Sequence, residues 1–124
     1  MDTNVSIDLL GGLLPAKTTA WLDSHILNKD ICMSVINEIE LLGFNALPNE
    51  VQDMQDLVNN VIILELTRYI VNRTIALKKI KKMKLPDAVV AATALVHNLT
   101  LISRNKADFK NIVGLTCLDP YTDI

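Results

Sequence analysis

From Pro86 to Asn98 the chain reads PDAVVAATALVHN, and wound as a helix this segment is apolar on nearly every side. A helix without a polar face belongs inside a packed layer rather than on a surface. Pro86 suits the first helical position, because the N–H it lacks would have no partner there. The rest of the chain must therefore supply covering elements.

Short apolar runs rich in branched residues supply them. Ile31–Met33, Val61–Leu66, Leu99–Ser103 and Leu115–Leu118 read as buried strands. Between them lie helical patterns: Val5–Leu10, stopped by Gly11-Gly12; Pro15 to about Leu27; a helix capped by Ser34 and ended by Gly43; one capped by Asn49 and reaching about Val58. A long amphipathic helix capped by Thr67 follows, and Leu85-Pro86 is expected to end it. Alternating strands and helices predict an α/β fold with a mainly parallel sheet between helical layers. Right-handed crossovers put the C-terminal strand ends on one edge, where such folds bind ligands. The chain has 124 residues, enough for one core, so residues 1–124 are read as a single domain.

Several function classes drop out. No run of about 18 apolar residues exists to span a membrane, and the N-terminus lacks the basic and apolar regions of a signal peptide. Cys32 and Cys117 are too few and too far apart for a disulfide framework or zinc site, so they read as free thiols in a reducing cytoplasm. Only five side chains are aromatic, leaving few surfaces on which bases could stack.

Acidic residues fall at the strand ends or on the helices that follow. Asp2 precedes the first helix; Glu38 lies one turn inside the helix after the Ile31 strand. Asp87 is in the first turn of the buried helix, and Asn105 and Asp108 follow the Leu99 strand. Two carboxylates about 4 Å apart repel by roughly 4 kcal/mol at an effective dielectric near 20. A divalent cation reverses that sign, and all-oxygen donors favour magnesium or manganese. Phosphodiester hydrolysis is the natural reaction class for such an ion. Each acid also has a plainer reading: Asp87 as a favourable charge at a helix N-terminus, Asp108 as a cap, Glu38 as an exposed helix residue.

Four segments carry a resemblance: DTNVSIDLL at the start, SVINEIELLG from Ser34, KLPDAVVAATALVHNLTLISRNKADF from Lys84, and GLTCLDP near the end. In order and spacing they resemble the PIN-domain toxins of the VapC type, over most of the chain. The resemblance implies a three-layer α/β/α fold with a parallel sheet of about five strands. It implies a Mg²⁺- or Mn²⁺-dependent endoribonuclease acting on RNA, a toxin neutralised by a small cognate antitoxin, and a homodimer. Asp2, Glu38 and Asp87 match the family's first three acids and Asp108 a fourth; Asn4, Ser34 and Asn105 match supporting positions. Family members carry several apolar residues before the DTN motif, so with only Met1 ahead of Asp2 the first strand is expected to be truncated.

Seven of the twelve basic residues lie between Arg68 and Lys84 with no acid among them. Lys78, Lys79, Lys81, Lys82 and Lys84 would form a basic face that steers RNA toward the acids; the alternative is a solvated helix surface. A haloacid-dehalogenase phosphatase is disfavoured because position 4 is Asn, where that chemistry needs a second Asp. A receiver domain would need an acceptor Asp at a mid-chain strand end. A non-catalytic PIN-like binding module is the remaining rival.

Overall fold

The computed structural model describes residues 1–124. Seven helices and four short strands follow one another as α1 (Thr3–Leu10), α2 (Ala16–Leu27), β1 (Cys32–Ser34), α3 (Val35–Leu42), α4 (Pro48–Asn59), β2 (Ile62–Leu64), α5 (Arg68–Ile80), α6 (Leu85–Val96), β3 (Leu101–Ile102), α7 (Lys106–Phe109) and β4 (Cys117–Leu118). The helix starts follow local chemistry. The Ser34 hydroxyl accepts from the Ile36 N–H at 3.2 Å, and the Thr67 hydroxyl accepts from the Ile70 N–H at 3.3 Å, each satisfying a donor the helix leaves free.

Two boundaries differ from expectation. Helix α4 starts at Pro48 rather than after Asn49, because proline occupies its first turn and the Glu50 side chain accepts from the Leu47 N–H at 3.3 Å. Helix α5 ends at Ile80, where Lys81 turns extended (φ −145°, ψ 135°). Residues Lys81–Lys84 are therefore an extended connection and not the last turn of a helix.

The expected sheet of about five strands takes the form of two parallel pairs, β1 with β2 and β3 with β4. Met1 and Asp2 run between the pairs and bond to both. The Met1 amine donates to the Cys32 carbonyl at 2.9 Å, and the Asp2 N–H donates to the Ile102 carbonyl at 2.9 Å. Beside Met1 a cavity of about 370 Å³ opens between β1 and β3, its wall including Trp21, Cys32, Val90, Thr93 and Thr100.

Two apolar cores flank this framework. One gathers Val5, Leu14, Leu22, Ile31, Met33, Leu41, Met54, Leu57 and Ile102. The other gathers Ile70, Leu77, Met83, Leu101, Phe109 and Ile112 around α6. Neighbouring Leu101 and Ile102 enter opposite cores, as the alternation of a strand requires. Helix α6 buries every residue from Ala88 to Ala94, so the reading of that segment as an internal helix holds. Burying one of its valines stabilises by about 1.5–3 kcal/mol, and its alanines let α5 and β1 approach closely.

Candidate active site

Asp2 is fixed before anything else at the sheet edge. Its Oδ1 accepts from the Thr3 N–H at 2.8 Å, capping α1, and its Oδ2 accepts from the Ser103 hydroxyl at 2.9 Å. The Ser103 Oγ in turn accepts from the Asn105 N–H at 3.1 Å. Asp2 and Ser103 are both buried, so these bonds form where no water competes and their geometry is held tightly.

A second chain of bonds fixes an acid on α3. The Thr3 hydroxyl donates to Glu40 Oε1 at 2.9 Å. The Asn37 amide donates to the Thr3 hydroxyl at 2.9 Å and to Glu40 Oε1 at 3.4 Å. Asn37 and Glu40 stand three residues apart, the spacing that brings helical side chains together. Asn37 is 1% exposed, and its Oδ1 is buried without a partner.

Asp87 lies in the first turn of α6, half-buried. Burial pushes its carboxyl above the usual range, and the negative charges of Asp2, Asp108 and Glu40 push the same way, while Lys84 opposes them. Asp2, Asp108 and Glu40 thus all place negative charge within reach of Asp87.

The buried stripe of α3 runs through Asn37 and Leu41. At about 100° per residue Glu38 and Glu40 fall on opposite flanks of that stripe, roughly 80° to either side. Helix α1 packs on the Glu40 flank, as the Thr3 bond records. Of the two α3 acids, Glu40 is the one hydrogen-bonded to Thr3 and Asn37, while Glu38 is half-buried on the other flank.

Among the supporting residues, Ser34 caps α3 and Asn4 is exposed; the hydrogen bonds to Asp2 and Glu40 come from Thr3, Asn37 and Ser103. Asn105 contributes its backbone, and its side chain makes no cap bond to α7. Asp108 lies exposed on α7. A separate buried acid, Asp8, accepts from the Arg104 guanidinium at 3.0 Å and from the Tyr121 hydroxyl. It ties α1 to the segments on either side of β4, and no sequence pattern announced it.

The assembled donors are all oxygens, the kind that suits a hard divalent cation, and they repel one another. As the side chains stand, no three acidic, histidine or cysteine groups lie close enough to hold one ion. A cleft of about 450 Å³ opens beside them, lined by Lys81, Lys82, Met83, Lys84, Asp87, Ala107 and Asp108.

Residues 1–115 match the PIN domain family. The chain is similar to a chain of the toxin–antitoxin complex from Klebsiella pneumoniae, with 30% identity and a TM-score of 0.77 over 97% of this chain and 95% of that one. It is similar to a chain of VapBC-1 from nontypeable Haemophilus influenzae, with 28% identity and a TM-score of 0.76 over 96% and 95% of the two chains. FitAcB from Neisseria gonorrhoeae shares the fold, at 22% identity and a TM-score of 0.74 over 98% and 96%. No curated protein matches the chain.

Proposed function

This chain belongs to the PIN domain family, and from that premise we propose that it is a VapC-type toxin, an endoribonuclease dependent on Mg²⁺ or Mn²⁺. The observation that carries the reading is the match of residues 1–115 to that family, with Asp2 and Asp87, the latter raised by burial and then by the charges of Asp2, Asp108 and Glu40, as the acids beside the cleft. Carboxylates from separate elements face one another across the site and repel, and a divalent cation would offset that repulsion. Relatives of known structure are toxin–antitoxin complexes, which supports a small antitoxin as partner. A homodimer working in the cytoplasm completes the proposal, and no helix is long and apolar enough to cross a membrane.

Asp2, Glu40, Asp87 and Asp108 are the residues that would hold the ion. When bound, such an ion supplies positive charge to a phosphate and makes water a better nucleophile at neutral pH. The chain's own work is positioning. Thr3 and Ser103 fix both oxygens of Asp2, and Thr3 with Asn37 fixes Glu40. Neither His25 nor His97 lines the cleft beside the acids, so water activated at the carboxylates, rather than a histidine base, is the attacking group. Water attack on phosphorus leaves a 5′-phosphate and a 3′-hydroxyl.

The test is cleavage of a structured RNA by the wild type and by Asp87→Asn, with mass spectrometry of the fragment ends. Mn²⁺-dependent cutting with 5′-phosphate ends, abolished by EDTA and by the substitution, is expected. A 2′,3′-cyclic phosphate formed in EDTA would mean that the ribose 2′-hydroxyl attacks, and would overturn the mechanism. The separation of the acids favours a second reading, a binding module without catalysis. Tight RNA binding with no cleavage at any Mg²⁺ or Mn²⁺ concentration would select it.

A further inference from the structure

The five lysines between Lys78 and Lys84 do not act alike. The Lys78 ammonium donates to the Met83 carbonyl at 2.6 Å and so ties the connection back to α5. Lys79 sits on α5 and does not line the cleft beside the acids. Lys81, Lys82 and Lys84 do line it, opposite Ala107 and Asp108 of α7. Met83 is buried in the α6 core. Lys82 and Lys84 on either side of it are exposed, and Lys81 is half-buried.

These three cations have no carboxylate partner. The ion pairs of the structure are His25–Asp30, Arg104–Asp8 and Lys106–Asp123. Asp87 lines the same cleft, and Lys84 acts on it only at a distance, without a direct ion pair. Unpaired ammonium groups on one wall, beside acids at the other end, leave positive charge available for an external anion. The cleft wall carries no aromatic side chain, so recognition here rests on backbone charge and not on base stacking.

We infer that the cleft between Lys81–Lys84 and α7 is a subsite for an RNA backbone phosphate adjoining the one that is cut, held by Lys81, Lys82 and Lys84. The inference rests on the nuclease reading for the meaning of "adjoining", while the binding itself can be measured without cleavage. The subsite offsets the repulsion that Asp87 and Asp108 exert on a polyanion, and it reads no base identity. Its contribution falls on binding, so loss of the lysines acts on KM rather than kcat.

The experiment compares wild type, the triple variant Lys81→Gln/Lys82→Gln/Lys84→Gln and the control Lys79→Gln. Each is checked for native circular dichroism and melting. Binding of a fluorescein-labelled single-stranded RNA is measured in EDTA across a salt series. Each lost phosphate contact lowers the salt slope by about 0.7 for a single strand, so the triple variant should lose about 2 units of slope and the control almost none. In Mn²⁺ the triple variant should show KM raised on the order of tenfold with kcat nearly unchanged. An unchanged slope, an equal loss in the Lys79 control, or no RNA binding by the wild type would each overturn the subsite. So would a variant that keeps its RNA slope but loses binding to a poly-glutamate probe, which would reassign the lysines to an acidic peptide. A slope that falls as expected, in a protein that never cuts RNA, would uphold the subsite and remove the nuclease reading alone.

Discussion

The Ser103 hydroxyl donates to Asp2 Oδ2 at 2.9 Å across 101 residues of sequence, in a buried position at the edge of the sheet. This bond leaves Asp2 a single orientation, since Thr3 holds the other oxygen. In the proposed site Ser103 would act by positioning Asp2. Ser103→Ala should cost about 1–3 kcal/mol of stability, because a hydrogen bond to a charged group is lost. It should also lower metal affinity and cleavage by about 10- to 100-fold. Ser103→Thr, which keeps the hydroxyl, should restore most of both. Manganese titration with cleavage rates on the three proteins decides; Ala and Thr behaving alike would remove the hydroxyl from the account.

Glu40 and Glu38 provide a paired test two residues apart. Glu40→Gln should reduce cleavage by about a hundredfold or more, beyond the usual loss for an outer partner of a metal ligand. Glu38→Gln should leave the rate within about a factor of two and the melting temperature within about 1 °C, as expected of a residue away from the site. Single-turnover cleavage of one RNA by both variants makes the comparison. The reverse ranking would return Glu38 to the site.

Asp87 gives the metal-free protein a pH dependence. Its folded-state pKa lies above the ordinary value of 3.8, chiefly through burial and then through Asp2, Asp108 and Glu40. Between those two values the native chain binds more protons than the unfolded one. Stability from this group is therefore fully present at low pH and is lost as pH rises through the raised pKa. At pH 7 the ionised carboxylate is a net liability, so Asp87→Asn should raise the metal-free melting temperature by about 2–4 °C after allowing for its partial exposure. Mg²⁺ should stabilise the wild type and have little effect on the variant. Melting curves from pH 4 to 8, with and without Mg²⁺, read this directly.

Asp8 should behave differently, because it is compensated. Tyr121→Phe removes one of its two partners and should cost about 1–2 kcal/mol. Arg104→Met leaves a buried carboxylate without its cation and should cost more, about 2–3 kcal/mol given that the guanidinium is half-exposed. Urea unfolding measures both, and kcat should stay within about twofold while the fold persists. A fall in kcat without loss of stability would move this cluster into the site.

Much of the fold was legible along the chain because it rests on local rules. Ser34 and Thr67 cap helices as their hydroxyls dictate, and Gly11 and Gly43 follow the ends of α1 and α3. The apolar girth of residues 88–94 requires an internal helix. The positions of Asp2, Asp87 and Asp108 at helix starts were legible as well, since each follows or begins an element whose end is fixed by pattern. The length of α5 was less so: a lysine continues a helix as readily as it leaves one, and burial of Met83 in the core between α5 and α6 sets the end.

What the sequence determined by itself is periodicity: which residues of a helix or strand turn inward, and where an element begins. It does not determine which neighbour lies on which flank. Glu38 and Glu40 sit symmetrically about the buried Asn37–Leu41 stripe of α3, and no local rule separates them. Packing of α1 against one side, through Thr3, gives Glu40 a hydrogen-bond partner from another element. The Ser103–Asp2 bond and the Asp8–Arg104–Tyr121 cluster have the same origin. Hydrogen bonds between residues a hundred positions apart exist only after the layers have packed, because side-chain reach is a few ångströms and chain separation says nothing about it.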